Sequence, residues 1–132
     1  MRVLVDTSVW SLALRKGGPT DHPSVRKLST ILERGEDVVL IGVILQELLQ
    51  GFRMERTADR LNRRLEPFDL LPLERRHYVA AARLRRRCVS AGVTPSTIDS
   101  LIASAAIEHR CRLLAADDDF EHIARVTRLR LL

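Results

Sequence analysis

The stretch "VLVDTSVWS", residues 3–11, passes from a strand to a helix through a single acidic residue. Val3 to Val5 form a short apolar run typical of a buried strand, and "TSVWSLALRKGG" is typical of a helix that Gly17 and Gly18 close. A strand that leads directly into a helix is the first half of a βαβ unit, in which the strands run parallel. We therefore expect Asp6 to lie at the carboxyl end of the first strand of a parallel sheet.

The same alternation of strands and helices continues along the whole chain. Further strands are predicted at 37–42, 68–73, 111–116 and, as the terminal "LRLL", 129–132. Among the helices between them, one from about Glu74 to Ser90 is predicted to bury Val79, Ala80, Leu84 and Cys88. This order predicts an α/β fold with a parallel sheet and helices on both of its faces.

Length and composition indicate one compact domain spanning residues 1–132. The chain is 45% hydrophobic, which is sufficient for a buried core. No apolar stretch approaches the roughly 18 to 20 residues that span a bilayer, and no signal segment precedes the first strand. Cys88 and Cys111 lack partners at metal-ligand spacing, so we expect reduced thiols. These features predict a soluble, cytoplasmic protein.

The charge balance is basic. The chain carries 22 Lys and Arg against 17 Asp and Glu, a net charge of +5, which favours polyanions such as nucleic acid or an anionic membrane surface. Only Lys16 and Lys27 are lysine, and the arginine guanidinium suits phosphate, although a GC-rich genome gives the same composition. Charge alone therefore indicates a class of partner and no chemistry.

Carboxylates are predicted to converge at one edge of the sheet, where ligands of parallel α/β folds bind. Asp6 follows the first strand, and three consecutive aspartates follow the fourth; Glu47 and Asp99 lie near helix ends that can face the same edge. At an effective dielectric near 20, two carboxylates ~4 Å apart repel by about 4 kcal/mol. A hard divalent cation, Mg²⁺ or Mn²⁺, would offset this repulsion.

Each acid also has a purely structural interpretation. Asp6 is a competent N-cap for the helix that follows it, and Asp99 has the spacing of a capping box with Ser96. Glutamate side chains are usually exposed to solvent, so Glu47 could be an ordinary surface residue of its helix. The aspartate triplet could cap a helix that starts near Phe120. Four such coincidences at one sheet edge are less probable than a shared site.

Four motifs in this order, "VLVDTSVWS", "ILQELLQG", "TIDSLIASAAI" and "LLAADDDF", resemble the PIN-domain ribonucleases, specifically the VapC-type toxins. The resemblance implies a PIN-like three-layer α/β/α fold with a mainly parallel central sheet of four to five strands. It assigns catalysis and metal binding to Asp6, Glu47, Asp99 and Asp117, with Asp119 and Thr7 as possible auxiliary residues. Members often carry Thr or Ser where this chain has Ala115, so the choice between Asp117 and Asp119 as fourth ligand stays open.

The resemblance implies a Mg²⁺- or Mn²⁺-dependent endoribonuclease toxin that a cognate antitoxin neutralises. Asp6 and Asp99 would be the innermost ligands, Asp117 would complete the metal shell, and Glu47 would bind a second metal or orient the attacking water. The four histidines are predicted to be surface or packing residues. The resemblance also implies a structured RNA substrate, tRNA or rRNA, and a homodimer. Some arginines should flank the cleft and hold RNA: Arg63, Arg64, Arg75, Arg76, Arg83, Arg85, Arg86 and Arg87.

Three other classes were weighed against a nuclease. A phosphoacceptor receiver domain needs a lysine after a late strand, where this chain has Arg130. An aspartyl phosphatase needs Asp-x-Asp after strand one, where this chain has Asp6, Thr7 and Ser8. A non-catalytic α/β protein- or RNA-binding module stays as the alternative, but it leaves the retention of every acid unexplained.

Overall fold

The computed structural model describes residues 1–15 and 21–132. Strands and helices alternate along the chain, as the sequence predicts. Their order is β1 (Arg2–Val5), α1 (Thr7–Ala13), α2 (Pro23–Glu33), β2 (Asp37–Ile41), α3 (Gly42–Gln50), α4 (Glu55–Leu65), β3 (Asp69–Leu71), α5 (Arg75–Ser90), α6 (Thr97–Glu108), β4 (Arg112–Leu114) and α7 (Asp119–Val126).

All neighbouring strands of the sheet are parallel, in the order β3-β2-β1-β4. Leu4 of β1 lies opposite Val39 of β2 on one side and Leu113 of β4 on the other. The apolar residues 3–5 are fully buried, which is the pattern of a central strand covered on both faces. Because the sheet is parallel, the segments that follow β1, β2 and β4 all emerge at one edge.

Helices cover both faces of this sheet, so the expected three-layer α/β/α architecture is confirmed. Helices α1 to α4 pack against one another, and α5, α6 and α7 form a second group. Cys88 and Cys111 are free and buried. In residues 1–15 and 21–132, no helix combines the length and apolarity needed to cross a membrane.

Several boundaries differ from the sequence prediction, and β3 and β4 each span three residues where the sequence predicts six. Helix α1 ends at Ala13, and the predicted stop at Gly17 and Gly18 lies outside the described residues. The predicted terminal strand 129–132 is wrong: it forms only an isolated parallel bridge, between Leu131 and Leu113. Strand β4 is the outermost strand next to β1 and spans only three residues, which limits its pairing with the terminal segment.

The buried face of α5 also differs from the prediction. Val79 is 42% exposed and Ala80 is half-buried, whereas Ala81 and His77 are buried together with Leu84 and Cys88. The His77 Nδ1 accepts a hydrogen bond from the Glu74 N–H at 2.8 Å, and its ring stacks on His109 with centroids 4.9 Å apart. A polar residue thus begins the buried stripe of α5.

Candidate active site

Asp6 lies at the carboxyl end of β1 and is only 5% exposed. Its N–H donates to the carbonyl of Leu114 at 2.9 Å, which joins the end of β1 to the end of β4. The predicted convergence of these two strand ends is therefore present. Asp6 is also the N-cap of α1, so the structural interpretation of this residue holds as well.

Ser8 connects Asp6 to the segment that leads to the aspartate triplet. The Oδ2 atom of Asp6 accepts hydrogen bonds from the Ser8 N–H at 3.2 Å and from the Ser8 hydroxyl at 2.6 Å. The Ser8 Oγ in turn accepts from the Ala116 N–H at 3.0 Å. The prediction from the sequence gives Ser8 no role in the site and misses this connection. The sequence feature that could have indicated this contact is a hydroxyl residue two positions after the acid that caps the helix.

Glu47 reaches the same edge from α3. Its Oε1 accepts a hydrogen bond from the Thr7 hydroxyl at 2.9 Å, in a partly buried setting. Glu47 is therefore held in place, unlike an ordinary solvated glutamate. The contact also places Thr7, the possible auxiliary residue, between Asp6 and Glu47.

Asp99 lies in the first turn of α6, where its N–H donates to the Ser96 hydroxyl at 3.0 Å. This bond is the N-cap half of the predicted capping box. The carboxyl group is partly buried, and burial is the main cause that raises its pKa from 3.8 to about 6. The negative charges of four other carboxylates raise the pKa further, in decreasing order Asp6, Asp117, Asp119 and Glu47. The structure thus brings all the predicted acids within electrostatic reach of Asp99.

Asp117 and Asp119 both belong to this cluster. Burial, followed by the charges of Asp6 and Asp119, raises the pKa of Asp117, while the N–H of Asp119 lowers it. Asp119 is the first residue of α7 and lines a cleft of about 430 Å³ together with Asp99. Asp118 occupies the N-cap position of α7 without a side-chain capping bond. Asp117 and Asp119 consequently stay joint candidates for the fourth ligand.

The carboxylate oxygens of this site are the donor type that a hard divalent cation prefers. Within residues 1–15 and 21–132, none of the five carboxylates forms a salt bridge with a basic side chain. In the same part of the chain, no group of three or more His, Cys, Asp and Glu side chains is arranged so that it could hold a metal ion. Mg²⁺ commonly takes only one or two carboxylates and keeps several waters, so an open oxygen site suits it. Uncompensated negative charge and oxygen ligands both favour such an ion.

Of the arginines predicted to flank the cleft, one contacts its border and two line a separate pocket. None of the side chains that line the acidic cleft is an arginine, but His122, predicted as a surface or packing residue, is among them. Arg85 Nε donates at 2.9 Å to the carbonyl of Pro95, which borders the cleft. Arg83 and Arg87 line a separate pocket.

Comparison with known proteins agrees with this architecture. The sequence model of the PIN domain matches residues 3–126. VapC ribonuclease Mb1587 of Mycobacterium bovis and ribonuclease VapC11 of Mycobacterium tuberculosis are each 33% identical over 129 residues, covering 96% of this chain and 95% of theirs.

Solved structures with the same fold include VapBC2 from Rickettsia felis bound to a promoter DNA fragment. It has a TM-score of 0.80 at 19% identity and covers 100% of this chain and 98% of its own. FitAcB from Neisseria gonorrhoeae has a TM-score of 0.75 at 24% identity, with 98% and 96% of the two chains covered. The family match over most of the chain and the 33% identical relatives establish that this chain belongs to the PIN domain family.

Proposed function

We propose that this chain is an endoribonuclease toxin of the VapC type that depends on Mg²⁺ or Mn²⁺. The observation that carries the proposal is the gathering of five carboxylates at the carboxyl edge of a parallel sheet without a basic partner among the described residues. Relatives named VapC ribonucleases, 33% identical over nearly the full chain, support the same activity.

Each acid has a distinct role in this proposal. Asp6 and Asp99 would be the innermost metal ligands, with Asp6 oriented by Ser8. Asp117 or Asp119 would complete the shell. Glu47, held by Thr7, would bind a second ion or position the attacking water. A bound divalent ion supplies charge neutralisation at the phosphate and makes water more acidic.

The proposed substrate is a structured RNA, tRNA or rRNA. The net charge of +5 attracts an RNA backbone toward the molecule as a whole, even though the cleft itself is acidic. The scarcity of aromatic residues, 4% of the chain, disfavours recognition by base stacking along a single strand. Shape and backbone contacts therefore dominate the proposed recognition.

The proposed protein partners are a cognate antitoxin and a second copy of the chain. The fold neighbours include VapBC toxin–antitoxin structures, which supports a partner of this kind. Co-expression with the product of the adjacent gene should restore growth of cells that express this chain. Sedimentation of the purified chain should give twice the monomer mass, and a monomer at all concentrations would contradict the dimer.

The decisive experiment compares RNA cleavage by the wild-type chain and its carboxylate variants. We expect mapping of RNA 5′ ends to give a discrete new end with wild-type protein and Mg²⁺ or Mn²⁺, and none after chelation. Asp6→Asn and Asp99→Asn should abolish cleavage, by about 1000-fold or more, because each removes an inner ligand. Circular dichroism should show that both variants stay folded.

The matched control is Asp69→Asn, which removes an exposed carboxylate from β3, the outer strand that β2 separates from β1. This variant should cleave like the wild type. Full activity in Asp6→Asn would refute the site assignment. Absence of cleavage and of growth inhibition by wild type would favour the non-catalytic binding module.

A further inference from the structure

We propose that a second, basic pocket binds the phosphate of a nucleotide in the RNA, at a distance from the acidic cleft. The inference rests on the proposed ribonuclease function for the source of that nucleotide. The pocket has a volume of about 330 Å³ and lies between α5, α6 and the segment that follows α7. It shares no lining residue with the acidic cleft.

Three guanidinium groups surround this pocket. Arg83 and Arg87 are four residues apart on α5 and therefore share one face of the helix, and Arg128 faces them from beyond α7. In the part of the chain that the structure describes, none of the three forms a salt bridge or a side-chain hydrogen bond. Glu108 is the one carboxylate in the lining, so the pocket keeps an excess of positive charge.

The walls of the pocket are ordered by the fold. The Thr127 hydroxyl donates to the carbonyl of Ile123 at 2.8 Å and accepts from the Leu129 N–H at 3.2 Å, which fixes the turn that carries Arg128. Ser104 also lines the pocket and is 3% exposed, and its hydroxyl forms no hydrogen bond with any described residue. A hydroxyl on the wall of the pocket can bond a ligand oxygen.

The remaining lining suits a nucleotide better than a bare carboxylate. Ala80, Leu84 and Ile107 supply an apolar wall, and guanidinium groups pair with phosphate oxygens through two parallel hydrogen bonds. A phosphate would lie among the arginines while the sugar or base covers the apolar wall. An acidic peptide satisfies the charge but leaves most of this apolar surface unused.

The position of the pocket relative to the cleft also favours RNA. Helices α6 and α7 begin near the cleft with Asp99 and Asp119. Helix α6 reaches the pocket five to eight residues later, at Ser104 and Ile107, and α7 ends one residue before Thr127 of the pocket. At 1.5 Å per residue these separations are ~8 to 12 Å. One continuous RNA molecule can therefore contact both the cleft and the pocket.

The test uses the full chain carrying Asp6→Asn, which prevents cleavage during binding measurements. Arginine side-chain Nε–H signals are followed by NMR while inorganic phosphate or adenosine 5′-monophosphate is added, and a labelled transfer RNA is titrated by fluorescence anisotropy. We expect the Arg83 and Arg87 signals to shift with the nucleotide at lower concentration than with phosphate. Shifts with phosphate alone would overturn the nucleotide assignment.

Measurements of RNA affinity distinguish binding at this pocket from attraction by the net positive charge of the chain. Arg83→Gln with Arg87→Gln should weaken RNA binding about 10-fold or more. Arg53→Gln with Arg56→Gln removes the same charge from exposed positions outside the pocket, at and just before the start of α4, and should weaken it much less. Equal losses in the two double variants would overturn the proposal. So would unchanged RNA affinity combined with a weaker antitoxin complex, which would make the pocket a protein-binding surface.

Failure of the proposed function gives a different result. If the chain binds no RNA but the Arg83 and Arg87 signals still shift with the nucleotide, the ribonuclease proposal fails and the nucleotide pocket stands. If RNA binds and neither signal shifts with nucleotide or RNA, the pocket proposal fails and the ribonuclease proposal is unaffected.

Discussion

A single hydroxyl group, that of Ser8, fixes the relative position of the two loops that carry acids after β1 and β4. It contacts Asp6 Oδ2 at 2.6 Å and the Ala116 N–H at 3.0 Å. The resemblance to the VapC-type toxins implies Thr or Ser at position 115, and this chain has Ala115 there. Ser8 is the residue of this chain that orders the same segment.

Replacing Ser8 by alanine should lower both stability and activity. The Ala116 N–H would lose its acceptor and Asp6 one of its donors, a cost of about 1 to 3 kcal/mol in the free energy of unfolding. Displacement of Asp6 should reduce cleavage about 10- to 100-fold. Urea denaturation and initial cleavage rates measure the two effects. Ser11→Ala, at an exposed position of α1, is the control, and equal behaviour of both variants would contradict the role of Ser8.

Protonation of Asp99 should make the metal-free fold more stable as the pH falls. Its pKa is about 6 in the folded chain against 3.8 ordinarily, so the folded state takes up a proton between about pH 6 and 4 that the unfolded state does not. The charged form of Asp99 therefore lowers the free energy of unfolding above about pH 6, and this destabilisation disappears below about pH 4. Solvent screening of this partly exposed group reduces the gain to about 1 kcal/mol.

The measurement is urea denaturation with chelator present at several pH values between 7 and 4. Asp99→Asn removes the titrating group, so its stability should depend less on pH and should exceed that of wild type at pH 7. If the stability of the two proteins depended identically on pH, this would contradict a raised pKa of Asp99.

At the scale of elements, α6 depends on small side chains. Ala103, Ala105 and Ala106 are essentially fully buried, which lets the helix approach β4 and α5 closely. Ala106→Leu should destabilise the fold by about 1 to 3 kcal/mol through overpacking. Ala82→Leu, at an exposed position of α5, is the control and should change thermal stability little. If Ala106→Leu melted at the same temperature as the wild type, this interface would have unfilled space and the prediction of overpacking would be wrong.

The order of the elements was predictable because apolar periodicity and breakers are local features. Gly35, which follows α2, has a φ of 69°, a conformation that glycine adopts without strain. The face of α5 was not predictable, because His77 is polar and yet begins the buried stripe by hydrogen bonding within the first turn. The bridge at Leu131 depends on the short length of β4, which apolar patterning does not reveal.

The acids that the structure brings together could be predicted from the sequence, but the side chains that hold them could not. Thr7 and Glu47 are 40 positions apart, and their hydrogen bond depends on how α1 and α3 meet. The basic pocket likewise combines Arg83 with Arg128 from separate elements. Position along the chain identifies the strand ends where acids meet, whereas side-chain partners follow from tertiary packing.

At the scale of the whole molecule, a divalent ion should stabilise the fold. An ion that binds only the folded chain adds RT ln(1 + [L]/Kd), about 2.7 kcal/mol at 100 times Kd. Mg²⁺ or Mn²⁺ should therefore raise the melting temperature by several degrees, and K⁺ at equal ionic strength should not. Asp6→Asn should remove the response and Asp69→Asn should retain it. An equal response in both variants would place ion binding elsewhere.

The central position of β1 has a consequence for synthesis of the chain. The first strand pairs with β4, and Ser8 bonds to Ala116, which is 108 positions later. Because domains emerge from the ribosome starting at the amino end, β1 must wait for the final quarter of the polypeptide before that contact can close. A nascent or prematurely terminated product therefore lacks the contact that joins the acids after β1 and β4, and under the proposed function it should not cleave RNA.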